Sequence, residues 1–572
     1  MKNTNTKRAT AAVAVAAPAK RPWWLYPAGL ALALIVVFQV YGPALNGPFL
    51  YDDSYLPYVT GDFAHFPLIF YLRGLRPILM LSFWLNYQQS GNQVTYSYHA
   101  WNVILHFFNS ILVYMALRKV LTWAKVERPV LEILSVFGAG LFLLHPIQTE
   151  SVSYVASRSE TLSVFFLLGA YVVFLYRRTT GISFGAAIAV ILLFGAAALS
   201  KEHAIALVGV LLLTDYFWNP GFTFEGLRRN WKLYALAAAV GTYGAIFALR
   251  IVRSSPSAGF SLKDLTWYQF FFTECRAIWE YFRMFLLPYG QNLDHDFPVS
   301  HTIFEHGAIV GLVGLLALIG FAWHYRRRFP LISYGVFTTL ILFAPTSSFV
   351  PIQDVLVEHR LYLPFIGLLF VTVGLLRFWK TSASTLAFAL SFVLLAEAVL
   401  TYQRNELYSS SIAIWRDSAA EAPNKSRPHF QLAFAYYQAG KCADAQQEYA
   451  KAAQLDKPDY RLLVDWGLAY DCAGDSVTAL AKFKDAAALQ KTAHIYSQIG
   501  MEYAKQTRYD DALEALNTAA ALDPSFDMTF TYRGQIWEVR GLLDKAAEEY
   551  RHALAVNPDN RIARDALVRI HR

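Results

Sequence analysis

The charged residues of this chain are distributed in two ways, and that split constrains the fold more than any motif. Up to about residue 404, Lys, Arg, Asp and Glu sit in short clusters between long apolar stretches; from Arg404 to Arg572 they are spread evenly. A helix needs ~17–25 predominantly apolar residues to cross a bilayer, and inside it only structures that satisfy every backbone hydrogen bond survive. Even spacing of charge belongs instead to a fold bathed in water. With 55% hydrophobic and 16% charged residues, the chain departs from a soluble domain, which runs at ~45–50% and ~25%. It is also too apolar to be disordered. The expected class is all-α, a polytopic membrane domain followed by a soluble helical one.

Apolar runs lie at 24–41, 99–117, 130–145, 161–176, 183–200, 203–218, 233–250, 303–323, 331–346, 359–376 and 383–402, eleven in all. The first follows Lys7, Arg8, Lys20, Arg21 and the pair Trp23–Trp24, with no small-residue cleavage site behind it. It reads as a retained helix, with 1–23 a cytoplasmic segment. Every second turn is then basic: Arg118, Lys119, Lys125 and Arg128; Arg177 and Arg178; Arg228, Arg229 and Lys232; Arg326, Arg327 and Arg328; Arg377 and Lys380. Cytoplasmic loops carry this bias. An odd number of spans puts residues 404–572 on the other side of the membrane from 1–23. Two further apolar segments, 76–90 and 264–288, fall on that far side, and the second carries Glu274, Arg276, Glu280 and Arg283. Charges of this kind suit helices lying in the interface. The net charge of +8 is accounted for by the basic turns, and no zinc finger, basic stripe or P-loop points to nucleic acid.

The soluble part repeats. Ala445, Ala479, Ala512 and Ala546 are spaced 34, 33 and 34 residues apart, and each is followed four residues later by Tyr449, Phe483, Leu516 or Tyr550. Gly440 and Gly474 are 34 apart, as are Asp523-Pro524 and Asn557-Pro558. A ~34-residue period with this small/large alternation is the tetratricopeptide signature. Four repeats fit between about 427 and 560, with a partial repeat before them and a capping helix after. The domains are therefore 24–403 in the membrane and 404–572 as a helical solenoid, whose concave face suits an extended peptide. Cys442 and Cys472 lie at the same edge of neighbouring repeats. They read either as a disulfide of an oxidising compartment or as two buried thiols.

Ionisable residues crowd the side of the membrane domain that carries the repeats. The first run ends in GPFLYDDSY with Asp52 and Asp53; Arg73 and Arg76 follow, then His99, Asn102 and His106. HPIQTESVSYVASRSE holds His145, Glu150, Arg158 and Glu160; Lys201, Glu202 and His203 stand between two runs; Asp294, His295 and Asp296 follow the second interfacial segment; Glu358, His359 and Arg360 open the tenth run. Ionisable groups at membrane depth are expensive and mark function. Paired acids beside several cations suit an anionic substrate together with a nucleophile that must lose a proton, and Arg is the preferred fork for phosphate oxygens.

The double Asp after the first run, NVILH, HPIQTESVSYVASRSE, LSKEHA and EHRLYLP, followed by tetratricopeptide repeats, resemble the transmembrane and tetratricopeptide-repeat O-mannosyltransferases and their bacterial relatives. These are glycosyltransferases of the C fold class. The resemblance runs across nearly the whole chain; the stretch 251–268 is unlike the longer corresponding region of the animal proteins. It implies transfer of a sugar, mannose or a similar hexose, from a polyprenyl-phosphate donor to a hydroxyl on a protein or peptide, by inversion at the anomeric carbon. By the same analogy Asp52 is the base and Asp53 orients the acceptor or binds a divalent metal that the chemistry does not require; these roles are exchangeable. Arg158, Lys201 and Arg360, with Arg76, would stabilise the leaving phosphate. Glu150, Glu160, Glu202 and Glu358 would position those cations, and His145, His203, His295 and His359 would contact phosphate or sugar. The expected location is a bacterial inner membrane with the active face and repeats in the periplasm. Competing readings are a non-catalytic anchored scaffold for envelope assembly and a ligase or polymerase of lipid-linked glycans. A transporter would need broken-helix sites at the bilayer midplane, and few are visible.

Overall fold

The computed structural model describes residues 24–92, 94–177, 179–252 and 258–570. The basic segment 1–23, Arg178 and part of the 251–268 stretch lie outside the described residues. Every described element is helical; extended pairing among the described residues is limited to an isolated bridge between Ala258 and Ile352.

Each of the eleven apolar runs contains a helix. Among the described residues, four helices are long and apolar enough to cross a membrane by themselves: Thr95–Trp123, Val155–Leu175, Glu305–Tyr325 and Ala383–Leu407. A fifth candidate is the pair Val130–Leu144 and Pro146–Ser153, bent by 49°. The bend has a simple cause. Pro146 lacks the N–H that would continue the ladder, and His145 caps the new turn by accepting the Ile147 N–H on Nδ1 at 3.2 Å. Leu25–Val40, Phe184–Ala198, Pro330–Phe343 and Phe365–Leu376 are apolar but shorter. The two interfacial segments form Pro77–Ser90 and Trp267–Leu286. The latter buries Phe270, Glu274, Ala277, Tyr281 and Met284 at three- and four-residue intervals, the stripe of an amphipathic helix.

The soluble part stacks four helix pairs: Ser426–Gln438 with Cys442–Leu455, Tyr460–Cys472 with Ser476–Leu489, Ala493–Lys505 with Tyr509–Leu522, and Asp527–Val539 with Leu543–Val556. Ser411–Glu421 precedes them and Arg561–Ile570 closes the stack. The alternation read from sequence is the core: the four alanines and Tyr449, Phe483, Leu516 and Tyr550 are all 0% exposed. Cys442 and Cys472 are joined in a disulfide across the first and second pairs, with Cα atoms 5.8 Å apart.

The turn inside each pair needs one residue of positive φ to end the first helix. Gly440, Gly474 and Gly541 supply it at +70°, +82° and +75°, but the third pair places Thr507 there at +62°. A β-branched side chain is strained in that region, at a cost of ~1–2 kcal/mol. Thr507→Gly is expected to raise the stability of the array by about 1 kcal/mol, read as a higher chemical-denaturation midpoint of the full chain. No gain would mean that the Thr507 side chain finds compensation in its turn.

Candidate functional site

The double Asp sits on a short turn, Tyr51–Tyr55, and the two carboxylates have opposite surroundings. Asp53 is 1% exposed. Its Oδ2 accepts the Leu50 N–H at 2.9 Å; its Oδ1 accepts the Tyr58 hydroxyl at 2.8 Å and the Ala156 N–H at 2.7 Å. Both oxygens are spent: the Leu50 and Tyr58 bonds fix the turn locally, and the Ala156 bond ties it to the Tyr154–Ser157 segment. Asp52 instead is exposed, and its N–H donates to the Tyr154 hydroxyl at 2.9 Å. The preceding residue, Tyr51, has φ +44°, a strained conformation for a non-glycine residue and one that clusters at functional positions. The surrounding protein mass raises the Asp52 carboxyl above its ordinary value; hydrogen bonding with Tyr154 opposes this, Asp354 adds to it, and Arg427 and His359 oppose it.

The other motifs form ion pairs among themselves. His359 donates its N–H to Glu150 Oε2 at 3.1 Å and meets Glu150 Oε1 through Nδ1 at 2.6 Å. It also lies within coulombic reach of Glu160. Glu160 binds Lys201 through one oxygen and stands 3.3 Å from His203 Nδ1 through the other. Arg76 forks onto Glu202 with two bonds of 2.9 Å. Motifs distant in sequence thus pair, with up to 209 positions between partners. Arg76 and Glu202 are about one-third exposed, whereas Glu160 and His203 are enclosed.

Other candidates are absorbed into the scaffold. Arg158 is 0% exposed. It donates to Asn102 Oδ1 at 2.8 Å, Asn86 Oδ1 at 2.8 Å and the Tyr98 carbonyl at 2.9 Å, and lies 4.5 Å from the centre of the Phe83 ring. No side of the guanidinium is open to a phosphate. His145 spends Nε2 on the Phe285 carbonyl at 3.0 Å and Nδ1 on its own turn. Arg360 pairs with Glu274 at 3.2 Å and holds the carbonyls of Val355 and Asp354 at 3.0 and 2.5 Å. Glu358 does not position a cation of that set. It accepts the Asn292 N–H at 2.6 Å and the Gln291 amide at 2.9 Å, and lies 3.3 Å from His295 Nε2, so Glu358 and His295 fix the loop after the Trp267–Leu286 helix.

That loop docks the repeats. Asp294 is gripped by Lys425 at 2.6 Å and by Arg427, whose Nε lies 2.5 Å from Oδ2. Arg427 also binds Asp354 at 2.6 Å. Asn292 and Ser418 exchange hydrogen bonds, Arg404 pairs with Asp417 at 2.6 Å, and Trp415 packs edge-on against Tyr51. Leu50, Tyr154, Leu293, Tyr408, Trp415 and Leu432 form one buried cluster beneath these bonds. The Asp52 turn is therefore built partly on the repeat array. Tyr154, Asp354, Lys425 and Arg427 were not among the residues singled out from sequence. The two cations of KSR, opening the first repeat, are the signal in sequence that could have found the last two.

Burial pushes the Asp294 carboxyl up, but the hydrogen bonds and charges of Arg427 and Lys425 outweigh it and hold the group below its ordinary value. The stabilisation is present above the unfolded carboxylate pKa of ~3.9 and is lost as pH falls through the lower folded one. Asp294→Asn is expected to cost about 2 kcal/mol at neutral pH and to flatten the acid side of a stability-versus-pH curve. An unchanged slope would assign the acid response to other carboxylates.

Among the described residues no cluster of three or more His, Cys, Asp or Glu is arranged to hold a metal ion. Residues 493–526 match the tetratricopeptide repeat family. The chain is homologous to protein O-mannosyl-transferases of the TMTC group. It is 25% identical over 460 residues to protein O-mannosyl-transferase F38B6.6 of Caenorhabditis elegans, covering 73% of this chain and 61% of the relative. To protein O-mannosyl-transferase TMTC1 of Homo sapiens it is 24% identical over 515 residues, covering 76% of this chain and 56% of the relative. The chain thus spans less than two thirds of the length of these relatives. Among solved structures, MamA is similar to the repeats at 22% identity, covering 27% of this chain and 91% of that one, with a TM-score of 0.25.

Proposed function

We propose that this homologue of the TMTC protein O-mannosyl-transferases is itself a membrane glycosyltransferase. It takes a sugar, mannose or a similar hexose, from a polyprenyl-phosphate carrier to a Ser or Thr hydroxyl of a polypeptide held by the repeats. The observation that carries this reading is the accessible Asp52, seated beside a charged network and against the first repeat. A hydroxyl is a poor nucleophile unless a base removes its proton in the transition state. As the acceptor oxygen attacks the anomeric carbon, Asp52 takes the proton, the bond from that carbon to the phosphate oxygen breaks, and the lipid phosphate leaves with the electron pair. One in-line displacement inverts the anomeric centre.

Developing charge on the phosphate is met by Lys201 and Arg76, whose partners Glu160 and Glu202 fix their direction; His203, beside Glu160, and His359, beside Glu150, would contact phosphate or sugar. Preorganised charges of this kind act on the transition state without reorganising. Asp53, His145, Arg158, His295, Glu358 and Arg360 hold the frame on which these groups stand. The eleven-span topology follows from the same reading, with the N-terminus cytoplasmic and the site and repeats periplasmic. The Lys and Arg in every second turn support it, since cytoplasmic loops carry that bias.

The test is transfer by the purified full chain in lipid vesicles. Polyprenyl-phosphate mannose and Ser/Thr-containing peptides should yield glycopeptides detectable by mass spectrometry, with nucleotide sugars inactive as direct donors. Transfer to a lipid-linked glycan but never to peptide would favour the ligase reading. Inactivity with every lipid-linked donor, alongside intact envelope assembly, would favour the scaffold.

A further inference from the structure

The proposed base is surrounded by groups from three parts of the chain. Tyr51, Asp53 and Tyr154 come from the turn and its support; His359 and Asp354 come from the segment before the helix Phe365–Leu376; Arg427 comes from the repeats. We propose that Arg427 of the first repeat is a positioning residue of the catalytic centre, holding the Asp354 carboxylate neutralised near the Asp52 turn, so that docking of the array completes the site. This rests on the reading of Asp52 as base.

The geometry separates Arg427 from an ordinary surface cation. Its guanidinium bridges two carboxylates, Asp294 and Asp354, and its carbon lies 5.4 Å from the centre of the Tyr51 ring. Tyr51 is the strained residue immediately before Asp52. Asp294 has a second cation in Lys425, whereas Arg427 is the cation bonded to the Asp354 carboxylate. The Asp354 backbone is separately anchored through its carbonyl by Arg360. Deleting the Arg427 charge therefore leaves the Asp354 carboxylate where it is, uncompensated, beside Asp52. A structural docking pair would not need to sit there, because Lys425, Arg404 and the Trp415 cluster already fasten the array.

The experiment compares Arg427→Ala, Asp354→Asn and the double variant in the full chain, with polyprenyl-phosphate mannose and a Ser/Thr peptide, as a function of pH. In Arg427→Ala the acid limb of kcat/KM should move up by about one pH unit, since an unpaired carboxylate beside an acid disfavours its ionisation. Asp354→Asn should move it down, and the double variant should return the limb towards its original place. An Arg427→Ala limb that stays fixed, whatever happens to the peptide KM, would reduce Arg427 to a docking contact. If Arg427→Ala does not fold, Asp354→Asn decides alone, and an unmoved limb overturns the proposal. Asp52→Asn separates the two levels. Full activity in that variant removes the base, whereas an inactive Asp52→Asn with a fixed Arg427→Ala limb removes only the role of Arg427.

Discussion

Asp52→Asn should lower sugar transfer by about a thousandfold or more while leaving the chain folded and its donor binding intact. A positioned base is worth ~10²–10⁴ in rate, and an amide cannot take the acceptor proton. The substitution is also mild structurally. The bond that seats the residue is its own backbone N–H to the Tyr154 hydroxyl, which Asn retains, and the side chain is exposed. Asp53→Asn provides the contrast. Its carboxylate accepts from two backbone N–H groups and a tyrosine hydroxyl, and an amide nitrogen facing either N–H repels it. That variant should lose stability by about 2 kcal/mol or more, with activity falling only as the turn loosens. Measuring kcat and melting temperature for both separates the roles that sequence left exchangeable. A fully active Asp52→Asn would end the assignment.

What the sequence disclosed and what it concealed differ by physical scale. The repeats were legible because each unit buries the same small and large residues at the same interval, and Ala445 with Tyr449 recurs as Ala546 with Tyr550. Thr507 departs from a different regularity, the glycine at the turn inside each pair, where local strain rather than burial matters. The membrane runs were legible as apolarity, but their lengths were not: Pro146 divides one run, and several others form helices shorter than a full crossing. The motifs offered acids to position cations, but which acid meets which partner, Glu150 with His359 and Glu160 with Lys201, depends on tertiary contacts that no spacing encodes. Asp354 and Arg427 were passed over for a related reason, since a charge at a domain joint looks in sequence like a charge in water.

Arg158 is the sharpest case of a cation whose burial changes its meaning, and Arg158→Ala should be the most destabilising single change in the membrane domain. The guanidinium joins three helices, Pro77–Ser90 through Asn86, Thr95–Trp123 through Asn102 and Tyr98, and its own. Its charge meets no carboxylate directly. It is linked to Asp53 through Tyr58, whose ring lies 4.7 Å from those of Phe83 and Tyr98 while its hydroxyl binds Asp53. Truncation therefore empties a volume in the core, orphans two amide oxygens and a carbonyl, and loosens the anchor of the Asp52 turn. Breaking such a buried polar assembly costs ~3–5 kcal/mol, a large share of the ~5–15 kcal/mol by which a typical fold is stable. Arg158→Lys should recover little, because one ammonium cannot reproduce a planar fork aimed at two amides. The discriminating measurement is melting temperature beside donor KM. Loss of the fold in Arg158→Ala, with an unchanged donor KM in whatever Arg158→Lys survives, makes Arg158 the keystone beneath the site. A stable Arg158→Ala with a greatly raised donor KM would instead put its guanidinium on the phosphate.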